Sequence, residues 1–112
     1  MREYNSTKAL FDKLIQQADA ARIKHIQIAI GEISELDQDV VQQHWGELGR
    51  GTILEHSQLR FRSITAEAQC MACFQKYHPE NGVILCPVCG SFGAKILRGE
   101  EFHVEHIETD NE

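Results

Sequence analysis

All four cysteines of this chain fall in two short pairs, Cys70-Met71-Ala72-Cys73 and Cys86-Pro87-Val88-Cys89, separated by a spacer of twelve residues. Two thiols two residues apart fit on one tight turn and aim at a common centre. A second such turn completes a tetrahedron of thiolates, the arrangement of structural Zn2+ sites with Zn–S distances of about 2.3 Å. Pro87 presets φ early in the second knuckle, and Gly90 is free to take positive φ just after its last ligand. The pattern reads as a zinc site with ligands Cys70, Cys73, Cys86 and Cys89. Iron in a four-sulfur centre would use the same ligands, and spacing does not separate the two. Four thiolates leave no open position for substrate, which argues against a catalytic ion. Disulfides need an oxidising compartment, and Met1 begins no basic-then-apolar leader, so reduced thiols and a cytoplasmic location are expected. Structural zinc contributes about 10 to 16 kcal/mol, largely as folding energy, so residues 68–93 are expected to be disordered without it.

The chain has 112 residues, enough for one modest core plus a metal-stapled lobe. Lys and Arg number 11 against 17 Asp and Glu, a net charge of -6. That balance opposes nucleic acid, because phosphate binding calls for a basic stripe. No apolar run reaches the roughly 18 residues that would span a membrane. Residues 109–112 read as a solvated acidic tail.

Hydrophobic periodicity outlines the fold. Leu10, Phe11, Leu14, Ile15, Ala18 and Ala21 predict a helix over about 6–22, with Asn5 or Ser6 as its cap. Ile26, Ile28 and Ile30 alternate as a strand. Val40, Val41, His44, Trp45 and Leu48 predict a second helix over 37–48, capped by Asp37 and stopped by Gly49 and Gly51. A strand follows over about 58–66, with Ile64 breaking the alternation as for a bulge. Residues 95–107 read as one long extended segment interrupted at Gly99. The order implies an α+β fold: a three-stranded sheet with two helices on one face and an inserted zinc-ribbon lobe of four cysteine ligands. Residues 1–67 and 94–112 form the discontinuous α+β domain, and 68–93 the zinc domain.

Met1-Arg2-Glu3-Tyr4, Ile30-Gly31-Glu32-Ile33-Ser34-Glu35-Leu36-Asp37, Gly51-Thr52-Ile53-Leu54-Glu55, Cys86-Pro87-Val88-Cys89-Gly90-Ser91 and Gly99-Glu100-Glu101 occur in this order. Together they resemble the hydrogenase nickel-incorporation proteins of the HypA/HybF family over nearly the whole chain. The resemblance implies a maturation factor rather than an enzyme: a nickel-binding domain with an inserted zinc domain, working with a GTPase partner to deliver nickel to the large subunit of nickel-iron hydrogenase, or in some bacteria to urease. It also implies a nickel site at the extreme N-terminus, from the Met1 α-amine, neighbouring backbone nitrogen and an imidazole at the second residue. Here that residue is Arg2. Guanidinium has donors and no lone pair to offer, so it does not replace imidazole as a ligand. Met1, Arg2 and Glu3 remain as candidates for weak nickel binding or a partner contact.

Six histidines could substitute in principle. His44 reads as a core or helix-interface residue beside Trp45, and His25 and His56 as solvated. His78, in the zinc spacer, could approach the cluster or a partner. His103 and His106 would share a metal only across a bulge. The alternative to a nickel carrier is therefore a zinc-stapled adaptor that binds a hydrogenase subunit or assembly partner without carrying nickel. An enzyme is disfavoured: Glu100-Glu101 and Glu105/Glu108 read as a solvated strand edge, and no G-x-S-x-G, phosphate loop or H-E-x-x-H occurs.

Overall fold

The computed structural model describes residues 2–109. Met1 and residues 110–112, with most of the acidic tail, lie outside the described residues. The elements are α1 Arg2–Ile15, β1 Ile23–Gly31, α2 Gln38–Gly49, β2 Gln58–Ile64, β3 Glu67–Cys70, β4 Lys76–Tyr77, β5 Ala94–Arg98 and β6 Phe102–Thr109. Two three-stranded sheets form, in the orders β2-β1-β6 and β4-β3-β5, giving the α+β class. Among the described residues no helix is long and apolar enough to cross a membrane. The chain divides into two compact units.

The first unit draws its described residues from Met1–Ala29, Leu36–Arg62 and Phe102–Glu112. Phe11 and Leu14 of α1 and Val41 and Trp45 of α2 bury against Ile26 and Ile28 of β1 and Leu59 of β2, with Phe102 and Val104 of β6 packed alongside. Both helices thus cover one face of this sheet, as the periodicity requires. Trp45 sets its ring edge-on to Phe11, centroids 5.5 Å apart. The Trp45 indole N–H donates to Ser57 Oγ at 3.0 Å, and that hydroxyl donates to the Leu54 carbonyl at 2.6 Å. Indole and hydroxyl are both satisfied, as their burial demands. On the other face Glu105 of β6 accepts from Arg62 of β2 and from Gln27 of β1, which ties all three strands. Arg62 holds the Glu105 carboxyl down at about 2.

Asp37 caps α2 as expected, its Oδ1 accepting from Asp39 N–H at 2.8 Å and Val40 N–H at 3.3 Å. The first helix departs from expectation at both ends. It starts at Arg2, so Asn5 and Ser6 lie inside it, and it ends at Ile15. Past Leu14 the backbone tightens: Gln17 N–H bonds the Leu14 carbonyl, and a short 3-10 turn spans Ala20–Arg22. Ala20 is buried there while Ala18 and Ala21 face solvent. Alanines carry too little apolar area to hold a helical phase through this stretch.

The second unit comprises Ile30–Glu35 and Ser63–Glu101. Ala68 pairs with Tyr77 of β4 and Ile96 of β5, and Gln69 with Lys76 and Lys95, all antiparallel. Two expectations are corrected here. Ile64 is the end of β2, not a bulge; the bulge sits at Glu67/Ala68 instead. The extended stretch 95–107 is two strands of different sheets, broken where Gly99 takes φ 117°. The cause of both is the loop after β1. Glu32 N–H donates to the Ile64 carbonyl and its side chain accepts the Ala66 N–H, while Gly31 and Ile33 N–H donate to the Glu101 and Gly99 carbonyls. These groups would otherwise be open to water or to a longer ladder.

Such stitching needs bare backbone. A Cβ on Gly31 would fall on the Gly99 carbonyl, and a Cβ on Gly99 would lie 2.6 Å from the Ala66 Cα. Gly46, in the exposed middle of α2, meets nothing within 4 Å. Gly31→Ala and Gly99→Ala are expected to lose about 2 to 3 kcal/mol in urea unfolding, and Gly46→Ala to gain about 0.5 to 1 kcal/mol. Equal, small effects at all three positions would contradict the close approach.

Candidate metal centre

The two cysteine pairs occupy matching turns. Cys70 N–H bonds the Gln75 carbonyl and Phe74 N–H the Cys70 carbonyl; Cys86 N–H bonds the Ser91 carbonyl and Gly90 N–H the Cys86 carbonyl, each at 2.9 Å. Within each turn, amides point back at the leading sulfur. Ala72 and Cys73 N–H approach Cys70 Sγ at 3.4 and 3.5 Å, and Val88 N–H approaches Cys86 Sγ at 3.4 Å. The fourth residue past each leading cysteine has positive φ, Gly90 at 77° and Phe74 at 64°. Gly90 behaves as its residue type predicts. Phe74 gives no such signal, because a bulky residue pays strain for this backbone.

The turns bring all four sulfurs within 4.8 Å of one another. Cys70 Sγ lies 3.5 Å from Cys89 Sγ, and Cys73 Sγ 3.6 Å from Cys86 Sγ. A regular tetrahedron with metal–sulfur distances of about 2.3 Å has edges of about 3.8 Å, so the cage fits one ion of that size. Cys70 and Cys86 are buried and Cys73 and Cys89 exposed. The Cys73 N–H lowers the Cys70 thiol to about 6, and the Cys89 N–H lowers Cys86. For Cys89, the Ser91 N–H favours the thiolate, but the Cys70 sulfur, burial and the Cys86 sulfur outweigh it and push the thiol up to about 12. For Cys73, the Gln75 N–H likewise pulls down, and burial with the Cys86 and Cys70 sulfurs overcomes it, so the thiol is raised. In each knuckle, then, the leading thiol is shifted toward its thiolate and the trailing thiol away from it. Tyr77 packs with Ala68, Cys70 and Cys86 in the small core beside the cage. Burial, then the neighbouring thiolates, raise its phenol.

The other expected ligands lie elsewhere. Met1 is outside the described residues. Arg2 opens α1 and faces solvent. Glu3 Oε2 accepts the Asp37 N–H at 3.1 Å, which lowers its carboxyl and ties the start of α1 to the cap of α2. His44 sits at the helix interface as expected, edge-on to Tyr4 with centroids 5.4 Å apart and 3.2 Å from Glu47. His25 Nδ1 lies 3.0 Å from Glu108, and His56 is exposed. Among the described residues the four cysteines are the one group of three or more His, Cys, Asp or Glu side chains placed to hold a metal, and His103 and His106 belong to no such group. Glu105 and Glu108 are engaged by Arg62 and His25, consistent with a solvated edge.

His78 turns to carboxylates rather than to sulfur. Its Nε2 lies 2.8 Å from Glu32 Oε1 and its Nδ1 3.3 Å from Glu80 Oε1. Glu32 and then Glu80 raise His78, while the Ala66 N–H and then His78 lower Glu32. The His78 contribution to stability is full below about pH 6.5 and fades as pH rises through its raised value; the Glu32 contribution is full above about 4.5 and fades as pH falls through its lowered one. The link is therefore strongest in mildly acidic solution. Glu32→Gln is expected to bring the His78 titration, followed by NMR, down toward the ordinary imidazole range. An unmoved titration would contradict the pairing.

Comparison with known proteins completes the assignment. Residues 1–109 match the family model described as hydrogenase/urease nickel incorporation, metallochaperone, hypA. A hydrogenase maturation factor HypA of Caldanaerobacter subterraneus subsp. tengcongensis is 31% identical, over 98% of this chain and 100% of the relative. A HypA of Dehalococcoides mccartyi is 30% identical, over 100% of this chain and 97% of the relative. The solution structure of the Ni metallochaperone HypA from Helicobacter pylori superposes with a TM-score of 0.69 at 20% identity, covering 96% of each chain, a likeness of fold. With both helices, both sheets and the cysteine cage accounted for along its length, this chain belongs to the HypA family of nickel-incorporation metallochaperones.

Proposed function

We propose that this protein is an accessory factor in nickel-iron hydrogenase maturation, assisting nickel insertion into the large subunit together with a GTPase partner, and that it is not itself an enzyme. The observation that carries this reading is the family match along residues 1–109, with relatives named hydrogenase maturation factor aligned from end to end. The resident metal is Zn2+, held by Cys70, Cys73, Cys86 and Cys89; a closed set of thiolates suits an ion that shapes the lobe and performs no chemistry. Residues 1–67 and 94–112 carry the nickel-handling domain and 68–93 the zinc domain, to whose sheet the flanking segments add Glu67 of β3 and the whole of β5, Ala94–Arg98. Thiols reserved for metal favour the reducing cytoplasm.

Nickel is cargo, and its handling is where this chain is unusual. An imidazole at position 2 would supply a neutral nitrogen lone pair; Arg2 supplies a fixed positive charge instead. Glu3 already accepts a backbone hydrogen bond from Asp37. These two residues favour a second reading, a zinc-stapled adaptor that docks on a hydrogenase subunit or assembly protein without carrying nickel.

Calorimetric Ni2+ titration of the untagged, zinc-loaded chain beside its Arg2→His variant separates the readings. The metallochaperone reading expects one-to-one binding by the unmodified chain, strengthened about tenfold or more by the added imidazole. Binding seen in the variant alone would move the chain to the adaptor reading. Failure of both proteins to restore hydrogenase activity in cells lacking their own HypA-type factor would remove the maturation role itself.

A further inference from the structure

The cysteine lobe carries a surface whose chemistry the metal does not explain. From Asn81 to Ala94, fourteen residues pass without an Asp, Glu, Lys, Arg or His, and the same holds from Ala68 to Gln75, so the cysteine sulfurs of the cage are the ionisable groups on these stretches. Large apolar side chains stand in solvent on these stretches: Met71 is 53% exposed, Phe74 64%, Val88 67% and Phe92 73%. The knuckles share one sulfur cage, so their tips are neighbours. Met71 N–H bonds the Gly93 carbonyl, which sets the Met71 step beside Phe92-Gly93. Clustered exposed apolar groups of this kind mark interaction surfaces.

Charge says what the surface accepts. The chain carries a net charge of -6. Yet Gln69 of β3 faces Lys76 of β4 on one side and Lys95 of β5 on the other. Directly opposed residues share a face of a sheet, so two ammonium groups flank one glutamine in a single row. Both lysines are exposed, and among the described residues neither is paired with a carboxylate. Gln69 Nε2 donates to the Phe74 carbonyl at 3.1 Å, so the cationic row runs into the apolar knuckle.

We propose that this face of the zinc lobe docks an acidic segment of a partner protein that also carries apolar side chains. The lysines select and steer the acidic groups, and Met71, Phe74 and Phe92 supply the area that holds the segment once docked. Two lysines on an acidic chain are too few for a nucleic-acid stripe. The inference does not depend on nickel being carried.

The test uses the full-length, zinc-loaded chain and a fluorescein-labelled peptide of repeated Glu-Leu-Glu-Gly, with a Lys-Leu-Lys-Gly peptide as comparator, followed by anisotropy. Saturable binding of the acidic peptide is expected, weakened about tenfold by a Lys76→Glu, Lys95→Glu double variant and by Phe92→Ser, and weakened at about 0.5 M salt. Zinc content equal to the parent protein shows that the variants remain folded. Equal binding of both peptides, or no effect of the double variant, would overturn the proposal. It would also be overturned by sedimentation showing that the face is already covered by a second copy of the chain, or by tighter binding of a labelled oligonucleotide through the same lysines. A double variant that changes self-association alone would overturn it too, because the lysines would then only guard the sheet edges.

Discussion

Four sulfurs held within 4.8 Å of one another repel as thiolates, and the Zn2+ proposed at their centre converts that repulsion into a crosslink. The rest of the cysteine lobe depends on this. Its buried core consists of Ala68, Cys70, Tyr77 and Cys86, so half of that core is itself ligand. One of its strands, β4, is only Lys76–Tyr77. Neither the apolar area nor the ladder offsets the conformational entropy of ordering the lobe, roughly 1 to 2 kcal/mol for each backbone unit. A structural ion contributing on the order of 10 to 16 kcal/mol supplies what the core lacks. The other unit needs no such help, since Phe11, Leu14, Ile26, Ile28, Val41, Trp45, Leu54 and Leu59 form a core of ordinary composition.

That contrast bears on function. A lobe stapled by metal can leave its large apolar side chains outside, because they are not required inside. Met71, Phe74, Val88 and Phe92 are exposed, whereas every large apolar side chain described on the helices and sheet of the first unit is buried or half-buried. Family membership assigns the chain to nickel incorporation, and the physical reading adds a division of labour. On the proposed reading, the metal fixes the shape of an apolar surface bordered by Lys76 and Lys95, and the acidic remainder of the chain keeps non-specific contacts away.

The cage and its ligands are legible in the sequence because a knuckle is local: residue types, spacing and Gly90 all lie within a few positions. The Asp37 cap and the buried faces of β1 and α2 are legible for the same reason. Features set by distant backbone are not. The ends of β2 and β5 depend on Gly31, Glu32 and Ile33 reaching carbonyls and amides far along the chain, at Ile64, Ala66, Gly99 and Glu101. Glu32 is visible as part of a recognisable run, but not as the residue that holds Ala66 and His78. Helix α1 begins ahead of its expected start because Asn5 and Ser6 are good caps by type only, while the actual start lies at Arg2 and Glu3 is tied to Asp37. The positive φ of Phe74 has no marker at all; it is imposed by matching the first knuckle to the second.

The most direct test of this account is amide hydrogen exchange on the metal-loaded protein before and after stripping with a chelator. The account predicts that protection over Glu67–Cys70 and Ala94–Arg98 collapses on stripping, while protection in α2 and β1 persists, and that one equivalent of Zn2+ restores the lost signals. Protection in the cysteine lobe that survived metal removal would contradict the claim that the ion holds it together.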